Sequence, residues 1–414
     1  MNHNLFLLYI DPGTGSVLFS ILIGLVSTLI FFGQRFFMKI KFIVSGGKAD
    51  KISKAKIPFV IFSDHKRYWN VFKPICDEFE RRGVNLVYWT ASSDDPALSE
   101  KYEHVKLEFI GEGNKAFARL NMMNASIVLS TTPGLDVYQW KRSKNVDMYV
   151  HILHAVDDPS SYRMFGLDFY DAVLLSGSYQ KEQIRFLEQV RKTVEKELVV
   201  VGCPYMDSMF DRLKSSPRKS NQNRTVLLAP SWGKSGILAK YGEKILDSLV
   251  STGYKIVVRP HPQTLVSEKE IIEPLIKKYS DSENFLWNFD NDNFSALNSA
   301  DILITDFSGI IFDYSLIFDR PLIYADTSFD SDPYDAAWLS EPMWKLRVLS
   351  SIGIKLEESQ FCDMKSLIDS AINNESLREG RVNARKVAWE NIGKSAEVTA
   401  DFMIRKNEEK RCRE

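Results

Sequence analysis

From Ile57 onward the chain repeats one unit: a short unbroken apolar run, then a segment of helical period. IPFVIFS at 57–63, AVLLS at 172–176 and LVVV at 198–201 show no polar alternation. A strand with one wet face alternates apolar and polar residues. A strand apolar throughout must be covered on both faces, which is the condition of a parallel sheet between helices. Similar runs lie at 84–90, 105–110, 126–130 and 147–154. Between them, 71–82 sets Phe72, Ile75, Cys76 and Phe79 on one helical face and stops at Gly83. The segment 179–193 is a second amphipathic helix. Residues 213–224 (LKSSPRKSNQNR) then break the rhythm with polar, proline-containing linker composition.

Behind that break the alternation restarts. Strands are expected at 225–229, 254–259, 285–287, 301–305 and 321–325, and helices at 242–252, 268–279, 294–299 and 308–318. Helical segments at 362–373 and 377–405 close the chain. The pattern predicts an α/β protein of two Rossmann-like domains, 56–212 and 225–376, followed by a helix and charged tail at 377–414. They should face a cleft, with ligand at the carboxyl ends of the strands.

Lys and Arg total 53 against 54 Asp and Glu, a net charge of -1, which excludes a whole-protein basic field and so a nucleic-acid partner. The 4 cysteines, Cys76, Cys203, Cys362 and Cys412, form no CxxC pair, so neither a zinc ribbon nor a disulfide framework is indicated. Charge is uneven only at the start. Residues 12–34 carry no charged side chain, and about 20 apolar residues span a bilayer core. No Lys or Arg precedes the run. Arg35, Lys39, Lys41, Lys48, Lys51, Lys54 and Lys56 follow it. The positive-inside rule therefore predicts a single-pass helix with its N-terminus outside and the rest cytoplasmic, residues 1–55 being the anchor and its basic flank. A cleaved signal peptide would need a basic stretch before the run and a small-residue cleavage site after it, and neither is present.

Four loops follow strands directly and carry the candidate chemistry. His154 ends the run Tyr149–His154, with His151 on the alternate side by period two. A lone histidine is more often packed than catalytic, so its place at a strand end is what singles it out. His261 lies between Pro260 and Pro262, which restrict its backbone, and follows Arg259, whose forked donors suit a phosphate. Thr305-Asp306-Phe307-Ser308-Gly309 passes from strand to helix. There free N–H groups could meet phosphate, Ser308 could cap the helix, Gly309 would let a ligand approach, and Asp313 could reach a ribose hydroxyl. Alone, this stretch reads more readily as an ordinary capped helix. Ala229-Pro230-Ser231-Trp232 could line the cleft.

Order and spacing of these residues resemble the CDP-glycerol glycerophosphotransferase family of teichoic-acid-type polymer synthesis. The likeness rests on His154, Gly202-Cys203-Pro204-Tyr205-Met206-Asp207, Ala229-Pro230-Ser231-Trp232, Arg259-Pro260-His261-Pro262, Ala300–Gly309, Asp313 and Arg320-Pro321-Leu322-Ile323. It covers about Lys56 to Ala400 and is denser in the second domain. Three stretches depart from the family pattern. His154-Ala155-Val156-Asp157 stands where the family has His-Gly-Thr-Pro, Ser308-Gly309 stands where it often has Ser-Ser, and 330–344 lacks its acidic and aromatic character.

The resemblance implies a glycosyltransferase-B fold whose first domain takes the acceptor. It also implies transfer of glycerol phosphate, or a related alditol phosphate, from a CDP-linked donor to a hydroxyl of a polymer or lipid-linked acceptor, with release of CMP. His154 would be the base. His261, Arg259, Ser231, Thr305, Asp306, Ser308 and Gly309 would bind donor phosphate or the leaving group, and Asp313 the ribose. No DxD-type pair is placed to demand a metal, so no metal and no cofactor are expected. With the anchor, this sets the enzyme at the bacterial inner (cytoplasmic) membrane, in contact with lipid. Competing readings are a nucleotide-sugar transferase of the same fold, a UDP-N-acetylglucosamine 2-epimerase-like enzyme, for which Ser308-Gly309 and Asp313 also speak, and a non-catalytic scaffold.

Overall fold

Seven apolar runs of the first half pair as a parallel sheet: β1 (Ile57–Ser63), β2 (Leu86–Thr90), β3 (Val105–Phe109), β4 (Asn124–Ser130), β5 (Asn145–Ile152), β6 (Ala172–Leu175) and β7 (Glu197–Val200). Their order is β3-β2-β1-β4-β5-β6-β7. Six more form a second parallel sheet: β8 (Thr225–Leu228), β9 (Lys255–Val258), β10 (Phe285–Trp287), β11 (Ile302–Thr305), β12 (Leu322–Ala325) and β13 (Gly353–Leu356), in the order β10-β9-β8-β11-β12-β13. Each sheet runs outward both ways from its first strand, which is the doubly wound Rossmann order. The computed structural model describes residues 56–216, 223–290, 292–325 and 329–412. The expected membrane helix at 12–34 and its basic flank through Ala55 lie outside these residues, as does 217–222 of the linker. Among the described residues no helix is long and apolar enough to cross a membrane.

Both faces of each sheet are covered, as unbroken apolar strands require. Phe59 and Ile61 of β1 pack with Phe72, Ile75 and Phe79 of the helix Trp69–Arg81. Val60 and Phe62 point the other way, toward Leu120 and Trp140. Phe72 and Phe79 are fully buried, each contributing roughly 1.5–3 kcal/mol by removal of apolar surface from water.

Chain order and packing differ at two helices. The helix Pro204–Ser215 follows β7, yet Met206 and Met209 lie in the core of the second sheet with Leu227 and Leu303. It also extends into the stretch read as linker. In return, Ala400, Phe402 and Met403 of the helix Ser395–Arg411 join the core of the first sheet. The sequence predicts one long helix over 377–405. Instead Glu375–Ala388 and Ser395–Arg411 are separated by a turn in which Asn391 and Gly393 have φ of 53° and 76°. The buried Asp207 organises this turn. Its Oδ1 accepts from Trp389 Nε1 at 3.0 Å and Gly393 N at 2.8 Å, and its Oδ2 accepts from Ser395 N at 3.0 Å and from Ser395 Oγ.

Two of the stretches that depart from the family pattern, His154–Asp157 and 330–344, meet through their ends. Asp158 Oδ1 accepts from Trp344 N at 2.9 Å and its Oδ2 from Lys345 N at 2.8 Å, capping the helix Trp344–Ile352. Lys345 Nζ pairs with Asp157 at 3.1 Å. Beyond it, Arg191 joins Asp335 at 2.5 Å and Asp168 at 2.9 Å, all three well buried. Asp335 N in turn donates to Tyr162 O at 2.9 Å. Segment 329–345 is thus a strap from the second sheet onto the loops that follow β5.

Candidate functional site

In a doubly wound sheet the crevice opens where connections leave toward opposite faces. Here that point lies between β1 and β4 in one sheet and between β8 and β11 in the other. The loops at these points begin at Ser63, Thr131, Ala229 and Asp306, and the His154 and His261 loops follow the adjacent strands β5 and β9. All candidate residues but Asp313 therefore stand at the carboxyl ends of strands, and Asp313 stands one turn further on.

His154 is half-buried. Its Nδ1 is 3.1 Å from Thr131 Oγ1 and 3.3 Å from Tyr162 Oη. The ring lies 5.0 Å from that of Tyr68, and Nε2 has no protein partner among the described residues. Burial pushes the imidazole down to about 4, with Asp157 opposing and Arg67 reinforcing the shift. It is therefore neutral at pH 7. Period two sends His151 away from His154, but β5 ends at Ile152 and Tyr162 bridges them, its hydroxyl 3.0 Å from His151 Nε2. His151 is fully buried, its Nδ1 has no partner, and desolvation holds it well below the usual histidine range.

His261 Nδ1 accepts from Gln263 N at 3.1 Å. A neutral ring with that nitrogen occupied as acceptor carries its proton on Nε2 and presents a donor. Trp232 stacks on it at 6.3 Å, inclined by 30°. Burial lowers the pKa of His261, Arg67 lowers it further, and Glu268 opposes. Arg67 thus acts on both histidines.

Asp306 and Thr305 turn away from the ligand side. The buried Asp306 carboxylate accepts from Ser231 N at 3.0 Å and from Ile237 N at 3.1 Å. Thr305 Oγ1 donates to Ala229 O at 2.6 Å. Neither offers a free donor to a phosphate; together they fix the loop 229–236 against β11. Residue type at a strand end is legible in sequence, but the turn of the backbone there is not. Ser308 makes no capping bond either. The expected helix at 308–318 is a short turn, Ile310–Phe312, with Gly309 as N-cap, followed by a wide π-type turn at Asp313–Ile317. Gly309 is exposed, and a Cβ there would meet nothing within 4 Å, so the space beside it is open.

Arg259 Nη1 donates to Asn288 Oδ1. Nearby, Tyr205 Oη donates to Asp313 Oδ2 at 3.2 Å and accepts from Asn293 Nδ2 at 3.3 Å. Burial raises Asp313 to about 7, and the Tyr205 bond opposes that rise. Sequence reasoning passed over Arg67, Tyr68, Thr131 and Tyr162, which no motif marks, and gave Tyr205 no role of its own. It also stopped the loop that begins at Ala229 at Trp232. Gly233 and Gly236 continue it as a glycine-rich turn before the helix Ile237–Val250, a signal for phosphate that was present in the sequence. Among the described residues no group of three or more His, Cys, Asp or Glu is placed to hold a metal ion.

Residues 166–338 match the family described as CDP-Glycerol:Poly(glycerophosphate) glycerophosphotransferase. Over this segment the chain is similar to the CDP-glycerol glycerophosphotransferases. The match spans the first part of the strap, the Gly202–Asp207 stretch and the three candidate loops of the second sheet, leaves out His154, and supports a transferase. Among solved structures, the wall teichoic acid polymerase TagF aligns at a TM-score of 0.59 and 16% identity, covering 92% of this chain and 98% of that one. The UDP-GlcNAc 2-epimerase from Neisseria meningitidis bound to UDP-GlcNAc aligns at 0.54 and 11%, covering 85% and 100%. At these identities the likeness speaks to the two-sheet fold, which glycerophosphotransferase and epimerase share. No curated protein matches the chain.

Proposed function

We propose that this glycerophosphotransferase moves glycerol phosphate, or a related alditol phosphate, from a CDP-linked donor to a hydroxyl of a polymer or lipid-linked acceptor, releasing CMP. The observation that carries it is the pair of oppositely configured neutral histidines. His261 has its Nδ1 occupied as acceptor and offers a donor, while His154 leaves Nε2 unpartnered. With the His154 Nδ1 proton held by Thr131 or Tyr162, Nε2 takes the proton of the attacking hydroxyl. The oxygen attacks the glycerol-bearing phosphorus, and the bond to the bridging oxygen of CMP breaks. His261 Nε2–H and Arg259 meet the charge that grows on CMP, an effect worth several kcal/mol in a dry cleft. The glycine-rich loop from Ser231 and the open edge at Ser308 and Gly309 receive the diphosphate, with Thr305 and Asp306 behind them as supports. These groups carry the proton and the charge, and we assign the protein no resident metal or cofactor.

Asp313 is assigned the cytidine ribose. A carboxylate accepts from two hydroxyls and a carboxylic acid does so poorly. With its pKa near 7, binding should strengthen as pH rises through 7 and weaken below it. Calorimetric titration of CDP-glycerol at pH 6 and pH 8 checks this: tighter binding at pH 8 is expected, and Asp313→Asn should flatten the difference. An equal slope in that variant would remove Asp313 from the role.

Residues 12–34 are proposed as a single-pass anchor at the bacterial cytoplasmic membrane, with the N-terminus outside and the basic flank near anionic lipid. That location joins a cytoplasmic nucleotide donor to an acceptor at the membrane. Binding of the purified chain to CDP-glycerol, CDP-ribitol and UDP-sugars in parallel tests the donor class, since preference for a UDP-sugar would favour the nucleotide-sugar reading.

A further inference from the structure

The loop after β1 is held rigidly. Ser63 Oγ donates to His65 O at 3.0 Å, Lys66 N donates to Ser92 Oγ at 3.0 Å, and Lys66 Nζ pairs with Asp94. His65 Nδ1 accepts from Arg67 N at 3.2 Å. Of the loop's remaining charged side chains, Asp64 and Arg67 both act on Tyr68, and the one that also hydrogen-bonds Tyr68 is Arg67. It is exposed, makes no ion pair among the described residues, and lies 5.0 Å over the ring of Tyr68. The other neighbour of that ring is His154, also at 5.0 Å. The stack Arg67–Tyr68–His154 therefore stands at the switch point of the first sheet. Its cation depresses His154 in that sheet and His261 in the other, so its field spans the cleft where the two meet.

A guanidinium without an ion pair, on a fixed loop, stacked through Tyr68 beside His154 and near enough to act on His261, is suited to one ligand class, a phosphate or phosphoryl group. We propose that Arg67 binds the phosphoryl group in transfer, as a third protein ligand set between His154 and His261. It holds the non-bridging oxygens while the acceptor oxygen bonds to phosphorus and the CMP oxygen departs. Charge on those oxygens is shared between ground state and transition state, and the fixed position of Arg67 favours the latter. The proposal rests on the transfer reading above.

The test is steady-state CMP release from CDP-glycerol by the full chain with acceptor membranes, for wild type, Arg67→Ala and Arg67→Lys. Arg67→Ala is expected to lower kcat about 10²–10³-fold with KM for the donor changed less than about 3-fold, the scale for one transition-state donor. Arg67→Lys should recover about 10-fold, since it returns the charge and not the fork. Guanidinium ion added to Arg67→Ala should restore part of the rate. Three results would overturn the assignment: a kcat within about 2-fold of wild type, a loss confined to KM for the acceptor, or a loss accompanied by a lowered melting temperature and no rescue. Wild-type turnover reports separately on the transfer reading. If wild type consumes another nucleotide donor, the same ratio of variant to wild type on that donor decides the role of Arg67.

Discussion

His154→Ala is expected to lower CMP release about 10²–10⁴-fold, the span of a lost general base. The effect is large because nothing nearby can replace the imidazole. Tyr162 and Thr131 are hydroxyls that meet Nδ1, and burial holds the Tyr162 phenol well above its usual range. His151 is sealed in the core. The loss should not come from unfolding. His154 is half-buried, and without it Tyr162 Oη still bonds His151 Nε2 at 3.0 Å, so the loss is confined to the contact of the Thr131 hydroxyl. Thermal unfolding of the variant should therefore track wild type. The pH profile gives a second check. His154 is neutral, and so competent as a base, above about 4 in the free protein. In Asp313→Asn, where the fall in donor binding through pH 7 is removed, kcat/KM should stay flat from pH 7 down toward that value, with the anionic donor raising the corresponding limb in kcat. A variant within a few-fold of wild type would remove His154 from the mechanism.

Asp207→Ala should be the most destabilising of the substitutions considered, by about 3–5 kcal/mol. Its carboxylate accepts four hydrogen bonds, from Trp389 Nε1, Gly393 N, Ser395 N and Ser395 Oγ. Alanine leaves the indole N–H and two backbone amides unpaired in a buried place, and Trp389 is among the largest fully buried side chains. The turn held there sends Ser395–Arg411 back to the first sheet while Glu375–Ala388 stays with the second. Urea unfolding followed by Trp fluorescence should show the midpoint fall with little change in slope. A shift below about 1 kcal/mol would mean that the crossing is held by apolar packing alone.

The strands were legible because parallel strands buried on both faces have no alternation to confuse with anything else. Ile57–Ser63 and Phe285–Trp287 sit where the apolar runs placed them. Gly353–Leu356 was missed: it is four residues long, has a Gly and a Lys within it, and packs only as the last strand of its sheet. The break near Trp389 was missed because its cause, Asp207, is remote in sequence. The same distinction separates the parts of the candidate site. Histidines at strand ends can be found from local order. Thr131, Tyr162 and Arg67 converge on His154 only through the strand order of the sheet. His154–Asp157 departs from the family pattern, and Asp157 with its neighbour Asp158 meets Lys345 and Trp344, beside and in the departing stretch 330–344.

The central claim is a phosphodiester formed from a CDP-linked alditol across the two histidines. The most direct measurement incubates the full chain and acceptor membranes with CDP-glycerol labelled in the glycerol, counting CMP and labelled acceptor together. The account predicts one CMP released for each glycerol phosphate transferred, and neither product from the His154→Ala and His261→Ala variants. Release of UDP or UMP from a nucleotide sugar, with CDP-glycerol left intact, would contradict it.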